Sequence, residues 1–372
     1  MDVRVLLDGH MIGQGETGNE TYITNLAYGL SRLPDVVCTA AVNNIPPADR
    51  KISGVSYYHL PSQNNWHRLL FGLWKAYRDT HSDLLHVTYN APFIFRRPVI
   101  ISIHDVSFKR YPHYFSPKDR FLFSTLFRLS INRADAIITI SEHARKEITQ
   151  FFPRVKDRIF VTSLAHSNIF IPNLSKSKHR ITVEKYCVKE PFILAVGNLQ
   201  PRKNLIRLIK AFSKSLKAVN NLQLVIVGKE HWRSSEVFQL VRQLGLKDKV
   251  VFTGYVPNED LVSLYNLATA FVYPSLYEGF GLPVLEAMAC ATPVITSNIS
   301  SMPEVAGDAA ILIDPYQETE MSQAIINVLT DRNLASDLAE RGYQRSQHFS
   351  WEQTARQTMN VYQTVLRNKE NH

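Results

Sequence analysis

Pro274-Ser-Leu-Tyr-Glu278-Gly279-Phe280-Gly281-Leu282-Pro283-Val-Leu-Glu286-Ala-Met-Ala decides how this chain is read. The apolar run Ala270 to Tyr273 before it predicts a buried strand. A tight loop with two glycines follows, and then a helix. Pro283 suits the first helical position, where a missing N–H would have had no partner. Glu286 is then expected in the first turn, beside free N–H groups and the positive end of the helix dipole. Glu278 stands at the strand end, just before the glycines. Two carboxylates thus flank a loop whose backbone amides can approach an anion.

Those carboxylates would repel a phosphate, so they must face hydroxyls. A polyol carrying a phosphate meets both demands, and a nucleotide sugar is the commonest such ligand. Either glutamate alone also suits an ordinary helix-start acid or a solvated loop residue. The whole arrangement, at the end of a strand in a parallel sheet, favours a site.

Around this stretch, strands and helices alternate from end to end, which predicts parallel sheets covered by helices on both faces. Val3 to Leu7 reads as the first strand. The loop after it carries Gly13, Gly15 and Gly18 and leads into a helix. Glycines between a first strand and a helix are a usual place for backbone to meet phosphate, although this is not a clean GxGxxG. Asn65 to Thr80 reads as a helix with Trp66, Leu69, Leu70, Leu73 and Trp74 on one side. His104 falls at the carboxyl end of the strand Val99 to Ile103, where ligands gather in open α/β sheets. Ser116 is expected to cap a helix that starts at Pro117 and is rich in aromatics. Lys109, Arg110, Lys118, Arg120, Arg128 and Arg133 lie near it, which suits solvated flanks or a surface resting on anionic lipid.

The polar stretch from Ile171 to Arg180 is the expected domain boundary. This gives an N-terminal domain over 1–172 and a C-terminal domain over 173–350. The helix 351–372 has no sheet left to complete and is expected to pack back on the first domain. Phe192 to Gly197 opens a second Rossmann-like unit. Arg202 and Lys203 in the turn after it could hold a diphosphate. Met302-Pro-Glu-Val-Ala-Gly reads as a turn.

Composition sets outer limits. The 372 residues favour two domains. With 45% hydrophobic and 20% charged residues, the chain has a globular composition. No apolar run is long enough to cross a bilayer, and the N-terminus lacks the plan of a signal peptide. Three scattered cysteines suit a reducing cytoplasm and leave no disulfide framework or zinc knuckle. A net charge of +9 points to anionic partners. No RNP, zinc-finger or helix-turn-helix pattern supports nucleic acid among them.

The stretch with Glu278 and Glu286 resembles the signature of retaining glycosyltransferases of family 4. Gly197-Asn-Leu-Gln-Pro-Arg202-Lys203-Asn204, Gly254-Tyr-Val-Pro and Pro303-Glu-Val-Ala-Gly fit it too, in order and at the usual spacing. In the first half, Ile103-His104-Asp105-Val, Phe115-Ser-Pro and Arg133-Ala-Asp-Ala-Ile-Ile-Thr-Ile-Ser141 look like the mannosyltransferase-like members. The resemblance implies the GT-B fold, two Rossmann-like α/β domains with parallel sheets facing across a cleft. It implies that Arg202 and Lys203 bind the donor diphosphate and that Glu286 holds the ribose hydroxyls. Glu278 would hold sugar hydroxyls, with amides around Gly279, Phe280, Gly281 and Leu282 on the sugar or phosphate. Gly254, Tyr255 and Val256 would lie near the base, and His104 on the sugar and acceptor side. The first glycine loop departs from the usual paired glycines, which leaves Gly13, Gly15 and Gly18 as alternatives for the phosphate contact.

The implied reaction is hexosyl transfer with retention from a nucleotide-diphosphate sugar. GDP-mannose is favoured and a UDP-sugar is next. The acceptor would be a hydroxyl of a saccharide or lipid-linked glycan, in the cytoplasm or at the inner membrane face. No Asp-x-Asp is present, so no metal or cofactor is expected, and Arg202 and Lys203 would stabilise the leaving diphosphate. Glu278, His104, Arg202 and Lys203 are the expected catalytic set, with Glu278 read first as a positioning residue. Rival readings are a sugar-nucleotide epimerase or phosphorylase on the same fold, or a non-catalytic nucleotide-sugar scaffold. The joint presence of Glu278, Glu286, Arg202 and Lys203 argues against the scaffold.

Overall fold

The computed structural model describes residues 2–14, 18–92, 98–112, 117–173, 176–230 and 234–370. The chain divides into two compact units. One comprises Met1–Leu164 with Ser350–His372, and the other Ala165–Phe349. The boundary therefore falls at 164/165 rather than 172/173. The polar stretch expected to mark it runs into a helix, Lys176–Glu184, that belongs to the second unit.

In the first unit the strands are β1 (Val3–Asp8), β2 (Val36–Val42), β3 (Ser56–His59), β4 (Leu84–Thr88), β5 (Val99–Ser102), β6 (Ala136–Thr139) and β7 (Ile159–Val161). Among the described residues they form one parallel sheet in the order β3-β2-β1-β4-β5-β6-β7. β4, β5 and β6 are buried along their whole length, which explains why they read as continuous apolar runs rather than as alternating ones.

The second unit holds β8 (Phe192–Val196), β9 (Gln223–Val227), β10 (Val250–Gly254), β11 (Ala270–Tyr273), β12 (Val294–Ser297) and β13 (Ile311–Ile313). Their order is β10-β9-β8-β11-β12-β13, again parallel. The helix Leu205–Ser215 shows how these sheets are covered. Leu205, Leu208, Ile209 and Phe212 recur at helical spacing and are buried against Leu224, Val272 and Ile325. Each such side chain contributes about 1.5–3 kcal/mol by burial. Met302–Ala306 is a short helix, not the expected turn, with Pro303 tolerated in its first turn.

The segment Asn65–Asp79 corrects another expectation. It is helical, but Arg68–Gly72 forms a π-bulge in which the Leu73 N–H donates to the Arg68 carbonyl. Residues 66 and 74 of an undisturbed helix lie about 80° apart, and one inserted residue brings them to about 20°. Trp66, Phe71 and Trp74 accordingly share the outer side, at 48%, 60% and 45% exposure. Leu69, Leu73 and Ala76 face the core. The single apolar side expected from the sequence is split in two.

The C-terminal helix Trp351–Glu370 is part of the first unit. Its Tyr362 hydroxyl is 2.6 Å from His86 Nδ1, and His86 Nε2 is 2.7 Å from Ser102 Oγ. Ser102 Oγ lies 2.6 Å from the Tyr22 hydroxyl of the first helix, Gly18–Ser31. All four side chains are fully buried, and burial pushes His86 down to about 3, so it is neutral. Tyr362→Phe leaves His86 Nδ1 without a partner. The expected loss of stability is about 1–3 kcal/mol, read from urea unfolding. Ser116, expected as an N-cap, lies outside the described residues.

Candidate active site

In the second sheet β8 and β11 are neighbours, and the strand order runs outward from them in opposite directions. That is the topological switch point, outside whose carboxyl edge ligands bind in open α/β sheets. The turn after β8 brings Arg202 and Lys203 there, and the loop after β11 brings Glu278. Gly197 follows β8 with φ +144, and a Cβ there would lie 2.9 Å from Lys203 Cε. A glycine therefore lets the lysine stem fold across the strand end. Asn204 then turns the chain into the next helix in a left-handed conformation. Its side-chain amide donates to the carbonyls of Pro274 and Pro315, at 3.1 and 2.7 Å. The Leu276 N–H and Ser275 Oγ both donate to the Arg202 carbonyl. The two loops are thus stapled together.

Glu278 is the hub. Its Oε1 accepts from Lys203 Nζ at 2.6 Å, Ser275 Oγ at 2.6 Å and the Tyr273 hydroxyl at 2.9 Å. Its Oε2 is 2.6 Å from an Arg202 guanidinium nitrogen. Burial alone would raise this carboxyl. Arg202 and Lys203 outweigh burial and hold it down at about 2. Burial pushes Lys203 down to about 8, against the opposing pull of Glu278, so the ammonium persists at neutral pH. Lys203 Nζ also touches the Tyr273 hydroxyl. Arg202 keeps 31% of its side chain exposed, against 10% for Lys203, and is the more accessible cation. The trio carries one net positive charge at the sheet edge. Among the described residues no three His, Cys, Asp or Glu side chains gather as a metal-binding group.

Residues 181–345 match the family described as Glycosyl transferases group 1, and residues 17–163 match Glycosyltransferase Family 4. O-antigen chain mannosyltransferase B of Escherichia coli is 37% identical over 269 residues, spanning 72% of this chain and 70% of that one. The chain belongs to the group 1, family 4 glycosyltransferases. The serotype-specific mannosyltransferase WbdA of E. coli is 31% identical over 264 residues, and there the match spans 32% of the relative's length. A sucrose-phosphate synthase structure from Thermosynechococcus elongatus superposes with a TM-score of 0.79 at 20% identity, covering 99% of this chain and 100% of that one. The fold is GT-B, two Rossmann-like α/β units.

The glycosyltransferase places its other expected site residues as follows. Gly281 adopts φ +116 and caps the helix Leu282–Ala289; a Cβ there would lie 2.4 Å from Met302 Cε. Leu282 is consequently the first helical residue and Pro283 the second. Glu286 is the fifth, beyond the first turn and its free N–H groups, which corrects its expected position. It accepts instead from the Tyr265 hydroxyl at 2.9 Å. Burial raises its carboxyl to about 7, with the Tyr265 bond opposing. Phe280 is buried edge-on to Phe349, with ring centroids 5.9 Å apart, and its carbonyl accepts from Ser301 Oγ. Ser300 Oγ accepts from the Glu278 N–H and donates to the Glu278 carbonyl, which fixes the loop before Gly279. Gly254 sits at a bulge of β10 with φ +69; Tyr255 after it is exposed and Val256 buried.

His104 stands in the first unit. Its Nδ1 is 2.9 Å from Asn19 Oδ1, so that nitrogen carries the proton. Among the described residues its Nε2 is buried without a partner and is left as an acceptor. Burial lowers the ring to about 4, so His104 is neutral and cannot act as a general acid at neutral pH. The Gly13 N–H donates to Glu20 Oε1 at 2.7 Å, so this amide already has an anionic partner. Gly18 opens the first helix, and Gly15 lies outside the described residues. Tyr273, Ser275, Asn204 and Ser300 were not singled out from sequence. Hydroxyl and amide residues at strand ends are common, and only their convergence on Glu278 and its loop marks them.

Proposed function

We propose that this glycosyltransferase moves mannose from GDP-mannose to a hydroxyl of a saccharide or lipid-linked glycan, with retention and without a metal. The observation that carries the reading is the Arg202–Lys203–Glu278 cluster at the switch point between β8 and β11. The O-antigen chain mannosyltransferase B relative favours mannose and a polysaccharide acceptor. Among the described residues no helix is long and apolar enough to cross a membrane. A lipid-linked acceptor would bring the protein to a membrane surface as a peripheral partner.

Arg202 and Lys203 neutralise the diphosphate as the anomeric carbon–oxygen bond breaks, which lowers the barrier by charge stabilisation in a fixed geometry. The acceptor oxygen bonds to the same face of that carbon, and its proton passes to the departing phosphate oxygen. Glu278 is a poor nucleophile, because its two oxygens already take four hydrogen bonds or ion pairs from Lys203, Ser275, Tyr273 and Arg202. It holds the two cations at their working positions. Glu286 accepts ribose hydroxyls, and the bare His104 Nε2 accepts from a sugar hydroxyl.

The test is a reaction of the purified full chain with GDP-mannose and p-nitrophenyl α-D-mannopyranoside in EDTA. The expected product is a disaccharide whose anomeric one-bond carbon–proton coupling is that of an α-mannoside. A β-linked product would end the retaining reading. Transfer from UDP-sugars alone would move the donor to that class.

A further inference from the structure

The first unit has its own switch point, between β1 and β4, since its order β3-β2-β1-β4-β5-β6-β7 runs outward from that pair. The rule that locates the cation cluster in the second unit therefore marks the carboxyl end of β1 as a second ligand position. Asp8 is the last residue of β1 and is fully buried. Its Oδ2 is paired with Arg68, which the π-bulged helix brings in from 60 residues away. His10 Nδ1 lies 2.9 Å from Asp8 Oδ1 and 2.9 Å from Arg68. Asn43, just beyond β2, directs its amide nitrogen to the His10 carbonyl at 3.5 Å.

Two observations at this spot point to a ligand. Arg68 is 5% exposed, yet among the described residues its Nε–H has no partner, and the buried Asn43 Oδ1 has none either. A fold does not normally leave a charged donor and an amide acceptor buried and unpaired, and here both belong to side chains that contact His10. π-Bulges also collect at functional sites, where they re-aim side chains. Asp8 and Arg68 cancel in charge, so what remains on offer is a mixture of donors and acceptors. His10 keeps 17% of its side chain exposed and opens the cluster outward. Such a lining suits hydroxyls. An anion would meet the Asp8 carboxylate.

We propose that Asp8, His10, Asn43 and Arg68 form the subsite that binds the hydroxyls of the acceptor's terminal sugar. The assignment of this sugar as the acceptor rests on the donor reading of the second unit. The binding itself does not, so the experiment reads it separately. The histidine ring resonances of the full chain are followed by NMR during titration with α-mannobiose, lactose and chitobiose, without donor, and the His10 signal is identified with His10→Gln. The His10 signal is expected to move with at least one disaccharide and not with GDP-mannose. In the transfer assay, His10→Ala is expected to raise the acceptor KM tenfold or more, with donor KM within twofold and partial rescue by His10→Gln. Asn43→Ala should raise the acceptor KM in the same sense.

A His10 signal that answers GDP-mannose instead, or no disaccharide at all, would overturn the proposal. So would a lowered Tm with unchanged acceptor KM in both variants, since that is what a purely structural cluster gives. Failure of the donor reading looks different, because His10 would still respond to the disaccharide while GDP-mannose binds nowhere.

Discussion

Glu278→Ala is expected to destabilise the protein by about 3–5 kcal/mol and to cut transfer by about 100-fold or more. The reason is what it leaves behind. Lys203 is buried at 10% side-chain exposure with Glu278 Oε1 as its ionic partner, and Arg202 loses its contact with Oε2. An ammonium stranded in the interior costs far more than the pair contributed, because desolvation is no longer offset by a counter-charge. Adding Lys203→Met to Glu278→Ala removes the stranded charge and should restore at least half the loss. The comparison is made from urea midpoints at equal slope.

The sign with pH is fixed by the direction of the shift. Glu278 is lowered from an ordinary 4.5 to about 2 in the folded state. Its stabilising contribution is therefore complete above pH 4.5 and is lost as pH falls towards 2. The gap between wild type and variant should narrow over that window. A variant within about 1 kcal/mol of wild type at pH 7 would show that Glu278 is no strut for the cations.

Glu286→Gln is expected to separate stability from binding. Burial raises this carboxyl from an ordinary 4.5 to about 7. A raised acid binds more protons folded than unfolded, so wild type loses stability as pH climbs from 4.5 through 7. The glutamine carries no charge and escapes that loss. Because Glu286 is half-buried rather than sealed, the gain is put at about 1–2 kcal/mol at pH 8, vanishing near pH 4.5. Binding goes the other way. A carboxylate bonded to hydroxyls is worth about 1.5–3 kcal/mol, so the variant should hold a nucleotide sugar roughly 10- to 100-fold more weakly. In wild type the ionised fraction rises roughly tenfold between pH 6 and pH 8, and donor affinity should follow it. Equal stability of the two proteins at pH 8 would contradict the burial argument.

The sequence carried the strand–helix alternation because parallel strands covered on both faces are written as apolar runs, and β11 was legible to the residue. Arg202, Lys203 and Glu278 were legible as candidates because each lies in the turn or loop that follows a strand's carboxyl end, where parallel sheets present their ligands. Other features depend on tertiary context. Glu286 was misplaced because the left-handed Gly281 starts the helix one residue early and carries the glutamate past the first turn. Trp66 and Trp74 were misread because a π-bulge leaves no mark in the apolar spacing. The Asp8–Arg68 pair joins residues 60 positions apart, and only the folded sheet brings them together. Ser275, Tyr273 and Ser300 are ordinary residues until they converge on Glu278 and its loop.

Calorimetric titration of GDP-mannose into wild type and Glu286→Gln, at pH 6 and pH 8 in EDTA, tests most directly whether the second unit is the donor site. The expected result is binding to wild type without metal, tighter at pH 8 than at pH 6, and weak, pH-insensitive binding to the variant. Equal affinity in the two proteins, or no heat from folded wild type, would contradict it.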